Sequence, residues 1–381
     1  MRENNKSKKA GKGKYAEHLY AVIMAGGQGE RFWPASRKES PKQLLSIGKG
    51  KTLIEQTCTR LKGLIPYERI FIITTAAQAP LMARKLKFLK KSQIIAEPRG
   101  RDTAAAIGLM AVMVKKKDPE AVMAVLPADH KINDHKGFLN CIARASSIAE
   151  NKGVIVTIGI KPDRPATGYG YIEVKKQTAC KCFCRQKKIT SYQVKRFVEK
   201  PDAARAKKFL SAGGFFWNSG MFITKSQVML EAMKKFLPQL YKGLVKIEKG
   251  LSKPDKKKII QKVYSTLDKV SIDYGVMEKA KEVYLVESIF DWDDVGTWDA
   301  LNRLYTADKN GNIVLKKTEL IDSKNCLIVS DGKQLIAGLG IKDLIIISHK
   351  NAVLVCPRDK AQEVKKIVSS LGKDKKNKKY L

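Results

Sequence analysis

From residue 20 to residue 160 the chain alternates short apolar runs with longer stretches of helical character, and this alternation constrains its fold more than any other feature. Residues 20–24, 70–74, 93–96, 121–126 and 153–159 are short, apolar and mostly rich in β-branched side chains, so they read as buried strands. Residues 53–64 and 103–117, between them, read as helices. Strands joined by helices pair in parallel, and a parallel sheet is covered on both faces, so its strands lack a polar side. The expected class is therefore α/β, with a mixed, mostly parallel sheet. Ligands of such sheets bind just past the carboxyl ends of strands, where Gly26, Glu97 and Asp129 fall. Residues 161–300 mix both element types. Within them, 169–175 and 193–198 are expected to pair through a lysine- and cysteine-rich hairpin. Beyond 300 the character changes: 325–330, 334–337, 344–348 and 352–356 read as short strands with Gly and Asp turns, followed by a helix at 360–371. The expected division is a basic disordered tail at 1–17, an α/β domain at 18–300, a small β-rich domain at 301–372 and a basic tail at 373–381.

The first strand breaks into Gly26-Gly27-Gln28-Gly29, with Arg31 and Lys42 close behind. Glycines let backbone N–H groups approach an anion, and an Arg and a Lys supply the charge that a triphosphate needs. The loop lacks the Gly-Lys-[Ser/Thr] ending of a Walker A loop and the spacing of the dinucleotide fingerprint. Taken alone, it is equally a tight strand-to-helix turn. Asp129, in Leu126-Pro-Ala-Asp-His130, leaves a strand and suits Mg²⁺, which takes few protein oxygens and relies on substrate phosphates; it could also cap a turn. A second acidic turn, Asp291-Trp-Asp-Asp294, could meet it over one metal–triphosphate, with Asp293 as a rival ligand to Asp294. Glu97 could accept from the N1–H and N2 amino groups of guanine, a donor pair that adenine lacks; alternatively, Glu97 or Asp102 simply caps the following helix. Glu199 and Lys200, adjacent near a strand end, are expected to point to different sides.

Composition narrows the partners. The formal net charge is +37, with 74 Lys and Arg against 37 Asp and Glu, but the lysines are scattered and not interleaved with aromatics. A lysine-rich surface on a protein that handles anionic substrates is preferred over nucleic-acid binding. No apolar run approaches the roughly 18 residues of a membrane span, and the basic N-terminus lacks a secretory apolar core. Seven cysteines form no disulfide framework. A cytoplasmic protein follows, with no membrane partner. Cys180, Cys182 and Cys184 would share one face of a strand, as a reduced hairpin or part of a metal site.

The run from Gly26 to Leu44, with Arg31, Phe-Trp-Pro and Pro41-Lys42-Gln43, resembles the signature of the sugar-nucleotide pyrophosphorylases, and within them the guanylyltransferases of mannose 1-phosphate. The segments around Glu97, Asp129, Thr167-Gly-Tyr-Gly170, Phe197-Val-Glu-Lys-Pro201, Phe216-Trp-Asn-Ser-Gly220, Asp273-Tyr274 and Asp294 match the family in order over about residues 20–300. Asp102 and Ala105 depart from it. The resemblance implies a nucleotidyltransferase domain and a short left-handed β-helix-like C-terminal domain, in a short form without an isomerase domain. The expected reaction moves GMP from GTP to mannose 1-phosphate; another hexose or nucleotide is the near alternative, and a basic nucleic-acid-binding protein on an inactive scaffold the distant one. Implied catalytic residues are Arg31, Lys42 and Lys200. Ala25, Gly26, Gly27, Gly29, Glu97, Pro98 and Thr103 would hold the nucleotide. Gly170, Glu199, Lys200, Asn218, Asp273 and Tyr274 would hold the sugar phosphate, and Asp129 and Asp294 a Mg²⁺. The oligomeric state is left open by the sequence, with a homodimer as one option.

Overall fold

The computed structural model of the protein describes residues 17–47, 50–184 and 187–381. The expected tail at 1–17 thus falls almost wholly outside the described residues, as do the side chains of Cys182 and Cys184. The apolar runs do form strands: β1 (Leu19–Met24), β2 (Ile70–Thr75), β3 (Ile94–Glu97), β4 (Val122–Pro127) and β5 (Ile155–Ile160). Among the described residues these join β6 (Tyr171–Val174), β7 (Cys180–Cys184), β8 (Lys187–Val198), β9 (Phe215–Lys225) and β10 (Val283–Glu287) in a ten-stranded sheet of order β3-β2-β1-β4-β9-β5-β10-β8-β6, with β7 on β8. The β1–β4 block is parallel, while β9 runs antiparallel between β4 and β5. As expected, β6 pairs with β8, and β7 and β8 form the hairpin.

Period-two alternation sends each strand's side chains into two cores. Leu19, Ala21 and Ile23 pack with Phe138 and Ile142 on one face, and Tyr20 and Val22 pack with Leu109 and Met110 on the other. The helix Asp102–Lys117 is buried along most of its length because it lies between the sheet and the helices Ser226–Phe236 and Pro238–Gly250. The helix His135–Lys152 carries its buried side chains at Phe138, Cys141, Ile142, Ala145 and Ala149, a helical spacing. Asp134 caps its start, and Gly153 closes it with φ 63°. Gly153, expected in the fifth strand, is therefore a helix cap.

The C-terminal strands are β11 (Ile313–Leu315), β12 (Thr318–Ile321), β13 (Leu327–Ser330), β14 (Ile336–Leu339), β15 (Leu344–His349) and β16 (Ala352–Pro357). β11, β13 and β15 stack in parallel, β12 pairs in parallel with β14, and β16 turns back on β15. The chain thus coils, with residues Lys316, Asp322, Asn325 and Asp343 in positive φ at the corners. Inward residues Leu327, Ile345, Ile347 and Leu354 share a third core with Phe32, Trp33, Val295 and Trp298 of the first module. The helix Val364–Lys373 follows, and the last turn, Lys375–Tyr380, is held where Trp33 Nε1 donates to the Tyr380 carbonyl at 2.9 Å. No described helix is long and apolar enough to cross a membrane.

Candidate active site

At the end of β1, Ala25 N still donates to Ile73 O, and the chain then leaves the sheet as the glycine loop. Side chains hold this loop by its carbonyls. Gln43 Nε2 and Gln78 Nε2 donate to Gly27 O at 2.9 and 3.3 Å, and Ser36 Oγ donates to Gln28 O at 2.7 Å. The amides of residues 26–29 donate to no protein acceptor among the described residues. Gly29 has φ 68°, and a Cβ there would lie 2.3 Å from Lys42 Cβ, so only glycine fits. The result is a rigid turn with unspent donors, the requirement for cradling phosphate.

The loop rims a cleft of about 400 Å³, also lined by Arg31, Lys42, Asp129, His130 and Asp294. Lys42 is only 7% exposed. Its ammonium donates to Asp129 Oδ2 at 2.6 Å and to the Asp294 carbonyl at 3.0 Å. Burial raises the Asp129 carboxyl pKa, but Lys42, His130 and hydrogen bonds outweigh it, so the net shift is downward. Burial pushes His130 down to about 4, keeping it neutral, and Trp292 Nε1 donates to its Nδ1 at 3.1 Å. The Tyr169 hydroxyl donates to Asp294 Oδ1 at 2.7 Å.

The acidic turn now resolves residue by residue. Asp291 accepts from the backbone of Asn133 and Asp134. Asp293 is buried, clasped by Arg303 at 2.5 and 3.1 Å, and accepts from Val295 N at 2.7 Å. Of the three carboxylates, Asp294 lines the cleft. The oxygens of Asp293 serve Arg303 and the turn.

Glu97 lies at the end of β3, 6% exposed, with Oε2 3.3 Å from where a Gly26 Cβ would be. Its Oε1 accepts from the Tyr264 hydroxyl at 2.5 Å. Burial holds its pKa above the usual carboxyl value, the Tyr264 bond opposing. Neither Glu97 nor Asp102 caps the following helix, whose N-cap position is Arg101, with no side-chain cap bond; Asp102 Oδ1 accepts from the adjacent Thr103 N. Thr103 Oγ1 accepts from Ile272 N at 2.8 Å and so ties the helix to the Asp273 segment.

The second cluster comes together from four segments. Asn218 N donates to Gly170 O at 2.8 Å, and Asn218 Nδ2 to Asp273 Oδ1 at 2.8 Å. Glu199 Oε2 sits so close to Gly170 that a Cβ there would be 2.5 Å away. Burial first, and the nearby Glu199 second, push the Asp273 carboxyl up to about 6. Tyr274 is at the rim, 52% exposed. Glu199 and Lys200 do not diverge as strand neighbours would: Lys200 Nζ lies 2.7 Å from Glu199 Oε1. β8 ends at Val198, and Lys200 adopts φ 40°, so strand alternation has already stopped. A second cleft of about 570 Å³ runs from Lys200 past Tyr169 to Arg31, Asp294 and Gly296, three residues that also line the first. Sequence reasoning missed Tyr264, Tyr169 and Arg303 as site residues; only their long-range partners reveal them. Cys180 bears an exposed free thiol.

Comparison with known proteins bears on this arrangement. The nucleotidyl transferase family profile matches residues 20–311. The chain belongs to the nucleotidyl transferase family. A second profile, the MannoseP isomerase/GMP-like beta-helix domain, matches residues 317–371, the coiled strands of this nucleotidyl transferase. The mannose-1-phosphate guanylyltransferase of Klebsiella pneumoniae is 38% identical over 94% of this chain and 75% of its own length. The alginate biosynthesis protein AlgA of Pseudomonas aeruginosa is 35% identical over 93% of the chain and 72% of its own. A Thermus thermophilus crystal structure, described as a mannose-1-phosphate geranyltransferase, superposes with a TM-score of 0.82 at 36% identity, covering 93% of this chain and 99% of that one.

Proposed function

We propose that this nucleotidyl transferase moves GMP from GTP to mannose 1-phosphate, releasing GDP-mannose and pyrophosphate. The observation that carries the reading is the junction of two clefts, one rimmed by unspent loop amides and the other reaching Lys200, which share Arg31 and Asp294. The names of the 38% identical relatives support mannose 1-phosphate as acceptor. A phosphate oxygen of the sugar phosphate attacks the α-phosphorus of GTP in line. The new O–P bond forms as the bond from the α-phosphorus to its bridging oxygen breaks, and pyrophosphate leaves with that electron pair. The nucleophile is already an anion at neutral pH, so no protein base or covalent intermediate is required, and catalysis is positioning with charge neutralisation. In this reading Gly26, Gly27 and Gly29 cradle phosphates, Arg31 stabilises the leaving group, and Lys42 and Lys200 offset repulsion between the two reactants. Ala25, Pro98 and Thr103 shape the nucleotide half. Glu97, beside Gly26, reads guanine through the oxygen that Tyr264 leaves open. Gly170, Glu199, Asn218, Asp273 and Tyr274 serve the hexose.

The donor set fits Mg²⁺: two hard carboxylates, Asp129 and Asp294, border the phosphate cleft, where substrate oxygens would complete the shell. Bound there, the ion would neutralise charge on the α-phosphate. A cytoplasmic setting and a homodimer belong to the same proposal and are checked by fractionation and sedimentation. The deciding assay is pyrophosphate release from GTP with and without mannose 1-phosphate, repeated with ATP and with glucose 1-phosphate. Release that needs both GTP and mannose 1-phosphate is expected. Equal use of ATP would overturn the guanylyl reading, because a mismatched base leaves a buried polar group unpaired and should be rejected by orders of magnitude.

A further inference from the structure

The phosphate cleft has a wall that does not come from the α/β module. Lys365, on the helix Val364–Lys373 that follows the coiled strands, lines it together with the loop residues Gly27–Phe32. Its neighbour Val364 is buried in the third core with Ala361, Phe32 and Trp33, which fixes the helix against the loop. Further along the same helix, Val368 and Ser369 border a second cavity with Gln28 and Glu30. The helix therefore runs alongside the glycine loop, and its docking presents Lys365 to the cleft.

The charges in the cleft are unevenly engaged. Lys42 is matched by Asp129 at 2.6 Å. Lys366, next in sequence, is matched by Glu363 at 2.6 Å. Arg31 and Lys365 have no carboxylate within ion-pair distance among the described residues, although Glu30 is also at the cleft. A pair of unmatched cations facing loop amides with no internal acceptor is the arrangement that a polyanion completes. Lys365 lines the loop cleft but not the cleft that reaches Lys200, where the same C-terminal segment contributes Asp359, Ala361 and Gln362 instead.

We propose that Lys365 contacts the pyrophosphate half of the bound nucleoside triphosphate, so that the C-terminal module supplies a substrate-binding cation to the α/β module's site. This rests on the nucleotidyl-transfer reading above. The ammonium is carried on a helix already held by core packing, so binding orders only the side chain.

The test uses the full-length chain with Lys365→Ala, Lys365→Arg and, as a control, Lys366→Ala. Binding of inorganic pyrophosphate is measured by calorimetry, and steady-state kinetics are run in both directions. Lys365→Ala should weaken pyrophosphate binding and raise KM for GTP and for pyrophosphate about tenfold, the loss typical of a charge-assisted contact. KM for mannose 1-phosphate should stay within about twofold, since Lys365 does not line the cleft that reaches Lys200. Lys365→Arg, which keeps the charge, should bind pyrophosphate nearly as the parent does, and Lys366→Ala should change nothing. Unchanged pyrophosphate binding in Lys365→Ala would overturn the proposal, as would equal weakening in Lys365→Arg and Lys365→Ala. Were the parent protein to turn over no GTP with mannose 1-phosphate, the functional reading would fail, while the pyrophosphate titration would still report on Lys365. The parent melting temperature in Lys365→Ala is the check that the helix remains docked.

Discussion

Three aspartates within four positions, Asp291, Asp293 and Asp294, have three different jobs, and their partners explain why. Asp293 is held by Arg303 and Val295 N, so it shapes the turn that carries Asp294. Asp293→Asn should therefore lower stability by about 1–3 kcal/mol, the cost of a buried hydrogen-bonded group losing its charged partner, with turnover retained below the melting transition. Asp129→Asn and Asp294→Asn should instead lower kcat by at least ~10²-fold, as loss of charge stabilisation at the transition state does. Asp129→Asn should also cost stability, because it leaves the Lys42 ammonium without its counter-charge. Denaturation midpoints and kcat measured on all three variants decide; the reverse pattern, with Asp293→Asn inactive but stable, would exchange the roles. Asp273 offers a pH test. Its folded pKa of about 6 lies above the ordinary 3.8. Between those values the native state holds a proton that the unfolded chain has lost, so this group's contribution to stability is lost as pH rises from about 4 to about 6. The ionised carboxylate accepts more strongly from hydroxyls, so KM for the sugar phosphate should rise as pH falls through 6. Asp273→Asn should flatten both dependences, which separates them from titration of the substrate.

At the scale of elements, the glycine loop is held stiff. Gln43, Gln78 and Ser36 hold its carbonyls, and Gly29 supplies the left-handed residue that lets the chain pass Lys42. Gly29→Ala should cost about 1–2 kcal/mol for conformation alone. The 2.3 Å approach to Lys42 Cβ should also shift the loop, lowering kcat/KM for GTP by ~10²-fold, as a misplacement of about 1 Å can. Melting temperature and GTP kinetics on this variant measure both effects; parental kinetics would mean that the loop does not position phosphate. The loop was legible in the sequence because its signal is local: a strand, a cluster of glycines and two cations. So were β1 to β5, whose apolar runs need no partner to be recognised. The helix His135–Lys152 went unread because its apolar positions are interleaved with polar ones, and its closing Gly153 was absorbed into the next strand. The divergence expected of Glu199 and Lys200 failed because strand geometry ends at Val198. Tyr264 at Glu97 was out of reach for another reason: the two are 167 positions apart, and no periodicity encodes such a contact.

The whole molecule is joined by the third core. Two β-rich or α/β modules linked only by a tether would unfold separately, each with its own midpoint. Here Phe32 and Trp33, which follow the glycine loop, are buried against Leu327, Ile345 and Leu354 of the coiled strands and against Val364 of the last helix. Trp298 Nε1 donates to Trp33 O at 2.9 Å, and Trp33 Nε1 donates to Tyr380 O at 2.9 Å, so hydrogen bonds link Trp298 through Trp33 to the final residues. Loosening the coiled strands must then loosen the loop. Leu354→Ala, which hollows this core at a residue that lines neither cleft, should cost about 2–5 kcal/mol. It should lower the midpoint of unfolding followed by far-ultraviolet circular dichroism, by tryptophan fluorescence and by residual activity in denaturant, all by the same amount. Coincident curves before and after the substitution are the expected outcome. A separate early transition, in which the C-terminal strands melt while activity and most helical signal persist, would show that the modules are independent and that the shared core contributes little to holding the loop.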